Sequence, residues 1–310
     1  MSTQSNAVNE LPLEARATAQ SFISPGRRLY WSVRREIWEY RSIYLAPAAV
    51  AAFLILGLLI AVARGALHIS MDVTVNGVHQ QPSVAVPYEV ASTAIMGVAL
   101  IVAAFYCLGT LQGERSNRSI LFWKSLPVSD TTTVAAKAAI PFAVLPAVMM
   151  ALIMVTHLLI LLILTAALAA GGQSAAAAWP QPGLPRVWGM TLYHLVAIHV
   201  LWYAPLYGYM LMISAWSKRA PFLWAVVPPV LAGIVEKIAF NSDYVFRWLR
   251  DRLSAESSGA AGPGGAMRVE AMQQIDPLHF LASPGLWIGL LLAAFFLVAT
   301  VRLRRSGGLI

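Results

Sequence analysis

The side chains in this chain that could carry out chemistry are few, and their spacing does not assemble a reactive site. The six histidines are scattered. His194 and His199 are five residues apart, which on an α-helix separates them by about 140° and is wrong for gripping one ion, so each reads as a packing histidine. No H-E-x-x-H motif or Cys/His cluster supplies metal ligands, and no G-x-x-x-x-G-K-[ST] phosphate loop is present. Neither a nucleophile with a base nor a facing pair of acids can be assembled within the apolar runs. The single cysteine, Cys107, sits beside Tyr106 and Leu108 with nothing nearby to lower its pKa, and it reads as a small buried hydrophobe. The chain is therefore expected to hold no catalytic, cofactor or metal site of its own and not to be an enzyme.

The elements that would position any site are apolar. Of 310 residues, 58% are hydrophobic and 12% charged, with a mean hydropathy of +0.67; soluble domains carry about a quarter charged residues. That excludes an ordinary soluble domain. The net charge of +8 has no long polar segment on which to build a nucleic-acid face. Six apolar segments are each long enough, or nearly so, to cross a bilayer, which takes about twenty helical residues. They run approximately over 43–63, 90–111, 138–170, 191–216, 221–240 and 285–301. The third is overlong and is read as one helix bent at Pro141 and Pro146. In the fifth, Glu236 and Lys237 must lie near an interface or face protein or water.

Before the first span, residues 1–24 form a polar tail expected to be disordered. Residues 27–44 then place Tyr30, Val33, Ile37, Tyr40 and Tyr44 on one helical stripe, widened by Trp31 and Trp38, as expected of an amphipathic helix lying at the membrane interface. The expected fold is thus an all-α integral membrane protein, six transmembrane helices preceded by an interfacial helix. With the N-terminus in the cytoplasm, fifteen of the Lys and Arg residues fall inside and seven outside, so both termini are expected to be cytoplasmic. An outward hairpin is predicted around Asn76-Gly77. The outward loop 241–284 should open with a short amphipathic helix through Tyr244, Phe246, Trp248 and Leu249.

The inward loop 112–137 is the informative stretch. Glu114 and Arg115 are followed by Ile120, Leu121, Phe122 and Trp123, flanked by Arg118 and Lys124 and ended by Leu126-Pro127. Four consecutive large apolar residues facing the cytosol need cover from the bilayer or from a partner protein. Ser129 and Asp130 then offer N-caps for a helix that runs through Lys137 into the third span.

The order Glu114-Arg115, a short amphipathic helix, Leu126-Pro127-Val128-Ser129 and then Lys137 resembles the first coupling helix of the type-2 exporter class of ATP-binding-cassette permeases. The resemblance covers most of the chain, although Ser116-Asn117-Arg118-Ser119 departs from the commoner Glu-Arg-Glu-x-Gly-Thr form. It implies a single permease domain over 25–310, a half-transporter of the bacterial cytoplasmic membrane, working as a dimer with a second copy or a related chain. Separate ATPase subunits would bind ATP and Mg, which this chain would not. They would dock on Glu114, Arg115, Arg118, Ile120, Leu121, Phe122, Trp123, Lys124 and Leu126, and secondarily near Lys218 and Arg219. For the substrate pathway, the polar-tipped aromatics Trp202, Tyr203, Tyr207 and Tyr209 with His199 are candidates, although aromatics at such spacing more often serve helix packing or anchor at the interface. Glu236 would line the exit or cap the outer end of its span. The competing expectation is a multi-span scaffold that anchors partners and moves nothing.

Overall fold

The structure, a computed structural model, describes residues 24–65, 73–75, 78–80, 86–116, 128–172, 174, 179, 183–254 and 277–306. Its first helix, α1 (Pro25–Glu39), starts where Ser24 accepts a hydrogen bond from the Arg27 N–H at 3.3 Å, with proline at the first helical position. The expected helix over 27–44 ends early: the chain turns at Tyr40 and Arg41, and Tyr44 already belongs to α2 (Ser42–Ala63). The turn lets α1 lie across the end of the bundle while α2 enters it.

Two short antiparallel strands follow, β1 (Val73–Val75) and β2 (Val78–Gln80), with Val75 opposite Val78. They flank the Asn76-Gly77 pair read as a turn, which itself lies outside the described residues. Next is α3 (Val86–Ser116), longer at both ends than its apolar stretch because Glu114 and Arg115 stay helical and find partners inside the protein.

The overlong third segment is one path with a local change of winding. Ser129 caps α4 (Asp130–Ala139), a π-helical turn occupies Ile140–Val144, and α5 runs from Leu145 to Ala170. Pro141 and Pro146 carry no N–H, so the bonding shifts by one residue and Leu145 donates to the Ile140 carbonyl.

The fourth segment is not a continuous α-helix. It begins as α6 (Leu184–His194), widens into a π-helix over Leu195–Trp202 and breaks at Tyr203. It then resumes as α7 (Ala204–Trp216) with a bend of 46°. Pro205 again removes a donor at the break. After it come α8 (Pro221–Phe240), α9 (Tyr244–Ser254), α10 (Pro277–Ala282) and α11 (Pro284–Ser306).

Among the described residues, five helical stretches are long and apolar enough to cross a membrane: α2, α3, α4 through α5, α8 and α11. The bent pair around Tyr203 makes a sixth if it is one span. The chain is a helical, multi-pass membrane protein. Its core gathers Ile95, Ala99, Ala103 and Cys107 of α3 with Met149 and Ile153 of α5, and Trp202, Tyr207 and Leu211 of the fourth segment. The apolar side chains left exposed, such as Phe53, Phe105, Ile238 and Leu291, face outward as suits a lipid solvent.

The most extensive helix pairing among the described residues joins α7 to α11. Gly208 allows it, since a Cβ there would stand 3.1 Å from the Ala293 carbonyl oxygen and 3.3 Å from the Cβ of Phe296. Gly208→Val should therefore lower stability by about 1–3 kcal/mol through overpacking. Gly97→Val, with nothing within 4 Å of its Cβ position, should cost little. Thermal melts of both variants in detergent check the pair, and equal melting would disprove the close-packing role of Gly208.

A buried ionic joint as candidate functional site

Where α1, α3, α4 and α11 meet, four ionised side chains are almost wholly withdrawn from solvent. Glu36 of α1 is 0% exposed, Lys137 of α4 1%, Glu114 of α3 4% and Arg304 of α11 6%. The Lys137 ammonium lies at the centre, 3.0 Å from Glu36 Oε1 and 2.9 Å from Glu114 Oε1, and it donates to Thr110 Oγ1 at 2.8 Å. The other oxygen of Glu114 pairs with Arg304 Nη1 at 2.7 Å, and Arg304 Nε reaches Asp130 Oδ1 at 2.9 Å. Glu36 Oε2 accepts from the Tyr106 hydroxyl at 2.8 Å and from Thr110 Oγ1 at 3.2 Å, while Arg35 closes the rim at 2.6 Å from Glu36 Oε1. Three bases face three acids, so the buried charge is neutral as a whole, which is what makes its burial tolerable.

Burial by itself would push the Glu36 carboxyl up, but Lys137 and Arg35 outweigh it and hold the group below the ordinary 4.5. Glu39, less buried and beside Glu36, is pushed the other way by burial and by that like charge.

A second set of contacts extends from the end of α3. Arg115 Nη2 donates to the carbonyls of Ser214 and Ser217 at 2.5 and 2.8 Å, and the Ser214 hydroxyl accepts from the N–H groups of Leu111 and Gln112, both at 3.1 Å. The root of the 117–127 segment is thereby tied to the turn between α7 and α8. Lys218 and Arg219 are exposed on that turn. Of the residues expected to meet an ATPase, Glu114 and Arg115 are thus the structural root. Arg118, Ile120, Leu121, Phe122, Trp123, Lys124 and Leu126 lie outside the described residues.

The proposed pathway residues all have intramolecular partners. His199, Trp202, Tyr203 and Tyr207 are buried in this single chain. Trp202 and Tyr203 hold α9: the Trp202 indole donates to the Arg252 carbonyl at 3.2 Å and the Tyr203 hydroxyl to the Leu253 carbonyl at 3.1 Å. Tyr207 stacks edge-on against Phe142 at 5.8 Å, and the Tyr209 hydroxyl donates to the Trp224 and Ala225 carbonyls of α8 at 3.4 and 3.3 Å. Glu236 caps α9, accepting from the N–H groups of Tyr244 and Val245 and from Ser242 Oγ at 2.7–2.8 Å.

One angular expectation is overturned. The π-helix between Leu195 and Trp202 winds more widely than an α-helix, so residues five apart fall on the same side. His194 and His199 therefore stand with ring centroids 6.2 Å apart instead of projecting in different directions. Among the described residues no group of three or more His, Cys, Asp or Glu is placed to hold a metal ion.

Glu36 and Arg304 belong to no motif, and Asp130 and Lys137 enter one only as a helix cap and as the head of the next span; the structure makes all four candidates. A signal was present: Glu36 falls on the same helical face as Val33, Ile37 and Tyr40, and an acid on a stripe destined for burial demands a buried base. Comparison with known proteins finds no matching family model, no matching curated protein and no matching solved structure.

Lys137→Met should cost about 3–5 kcal/mol, because it leaves Glu36 and Glu114 facing each other without their shared base. Adding Glu36→Gln and Glu114→Gln should recover part of that loss, and a triple variant no more stable than the single one would contradict the pairing. Because the Glu36 carboxyl is held low, its contribution is complete above about pH 4.5 and is lost as pH falls through the folded value. Glu36→Gln should therefore flatten the acid limb of melting temperature against pH, and an acid limb equally steep in the variant would refute the assignment.

Proposed function

We propose that the chain is the membrane-spanning subunit of an ATP-driven exporter of the type-2 ATP-binding-cassette class. In this reading the bent pair is one span, giving six, and both termini lie in the cytoplasm of a bacterial cell. The ionic joint then sits at the cytoplasmic end of the bundle. Two such subunits form the pathway, and separate ATPase subunits carry the ATP and Mg. His199, Trp202, Tyr203, Tyr207, Tyr209 and Glu236 are the pathway candidates, Trp202, Tyr203 and Glu236 through their hold on α9.

The observation that carries the reading is the joint's position at the root of the 117–127 segment. A segment that transmits force must end on something rigid, and Glu114 is bolted through Lys137 and Arg304 to three other helices. Arg115 links the same root to the second inward turn. A push from an ATPase dimer closing on nucleotide would reach α1, α4, α7 and α11 together. Such a push can shift the spans between inward- and outward-open forms only because ATP binds the two with different affinity.

The test is coupled hydrolysis. The tagged chain, purified in mild detergent from its native membrane with its associated ATPase, should show vanadate-sensitive ATP turnover. Trp123→Asp and Leu126→Asp should each reduce it at least tenfold while membrane insertion is unchanged. A chain that purifies without ATPase activity, or turnover indifferent to both substitutions, would favour a scaffold that moves no substrate.

A further inference from the structure

At the end of the bundle remote from the ionic joint, Arg252 of α9 is only 2% exposed and makes no ion pair with an acid among the described residues. Its guanidinium lies 4.1 Å from the centre of the Trp202 ring and 5.7 Å from that of Trp248. Nη1 donates to the Trp202 carbonyl at 3.0 Å and Nη2 to the Gly285 carbonyl of α11. The Trp202 carbonyl is available because the chain breaks just after it: Leu206 donates to Tyr203 at 3.0 Å, one residue further on than an α-helix would require. Gly289 leaves the space, since a Cβ there would overlap the guanidinium. The Trp202 indole and Tyr203 hydroxyl return two bonds to the α9 backbone.

The rest of α9 holds to the bundle at few points. Glu236 caps its first turn and Phe246 fills the notch over Gly233, both on α8. Tyr244, Trp248 and Leu253 are exposed, Phe246 is exposed in part, and Leu249 is half-buried. The polar clasp around Arg252 is therefore what joins α9 to the α7 and α11 side, while α8 holds the opposite end like a hinge.

We propose that α9 is a strap across the junction of the Trp202 break with α11, and that the Arg252 clasp holds it closed. Releasing the guanidinium lets α9 swing on its α8 attachment and uncovers the Trp202–Gly285 crevice. An arginine suits the task because its planar fork serves two carbonyls and a ring face at once, which a lysine cannot do. The idea deepens the transport reading, in which this end must open, but its test is independent of any ATPase.

The test is thiol accessibility in lipid nanodiscs, where both faces of the bilayer meet solvent. With Cys107 replaced by Ala, Gly285→Cys places the only thiol at a half-buried position, its Cβ 3.7 Å from the Trp202 ring and on the residue whose carbonyl Arg252 Nη2 holds. This thiol should react slowly with a bulky maleimide. Arg252→Ala should raise the rate at least tenfold, and Arg252→Lys should not restore protection. Gly289→Ala should do the same by displacing a guanidinium that is still present; it decides the matter if Arg252→Ala does not fold. Fast labelling in the parent, or an unchanged rate in folded Gly289→Ala protein, would overturn the proposal. A loss of ATPase coupling at Trp123 with unchanged strap behaviour would separate the two ideas.

Discussion

A lysine shared by two glutamates is the constraint on which the meeting of α1, α3, α4 and α11 hangs. Lys137 touches Glu36 and Glu114 at once, and it is the buried base that lies between the two acids at hydrogen-bond distance from both. Through those contacts, α1 is drawn onto the bundle end, the head of α4 is fixed against the end of α3, and Arg304 is pulled in to balance the second oxygen of Glu114. Remove the lysine and Glu36 and Glu114 face each other, short of one base, in a place where water cannot screen them. The joint is therefore rigid for the same reason that it is costly.

The two ends of the bundle solve the buried-charge problem differently. At the ionic joint, charge is balanced by charge across four helices. At the strap, Arg252 pairs with no acid among the described residues and meets carbonyls and an aromatic face, one of those carbonyls freed by the irregular winding around Tyr203. Carbonyls and rings stabilise a cation less strongly than two carboxylates do, so the strap is the weaker closure.

Much of this was legible in the residues taken alone. The apolar runs marked where the long helices lie, although the third and fourth begin well before them, at Asp130 and Leu184; Ser129 was recognisable as a cap, and Tyr244 through Leu249 as a short amphipathic helix. Other features could not be read locally. A periodicity argument assumes α-helical winding, and the π-helix over 195–202 brought His194 and His199 to the same side against that assumption. The stripe through Val33, Ile37 and Tyr40 was visible, yet its other members were not all buried: Tyr30 and Trp38 are exposed, and Glu36 lies deepest.

Composition and hydropathy thus determined by themselves that this is a helical chain living in lipid, because the bilayer demands continuous apolar runs that any sequence must display openly. Tertiary structure alone decided which charges are structural. Lys137 is 101 residues from Glu36, and Arg304 is 190 from Glu114, so no local pattern relates them. The same holds for Arg252 and Trp202, fifty residues apart and joined only once a helix break had exposed a carbonyl. Buried polar groups must be paired, but their partners are set by where the helices cross, and that is a property of the packed bundle.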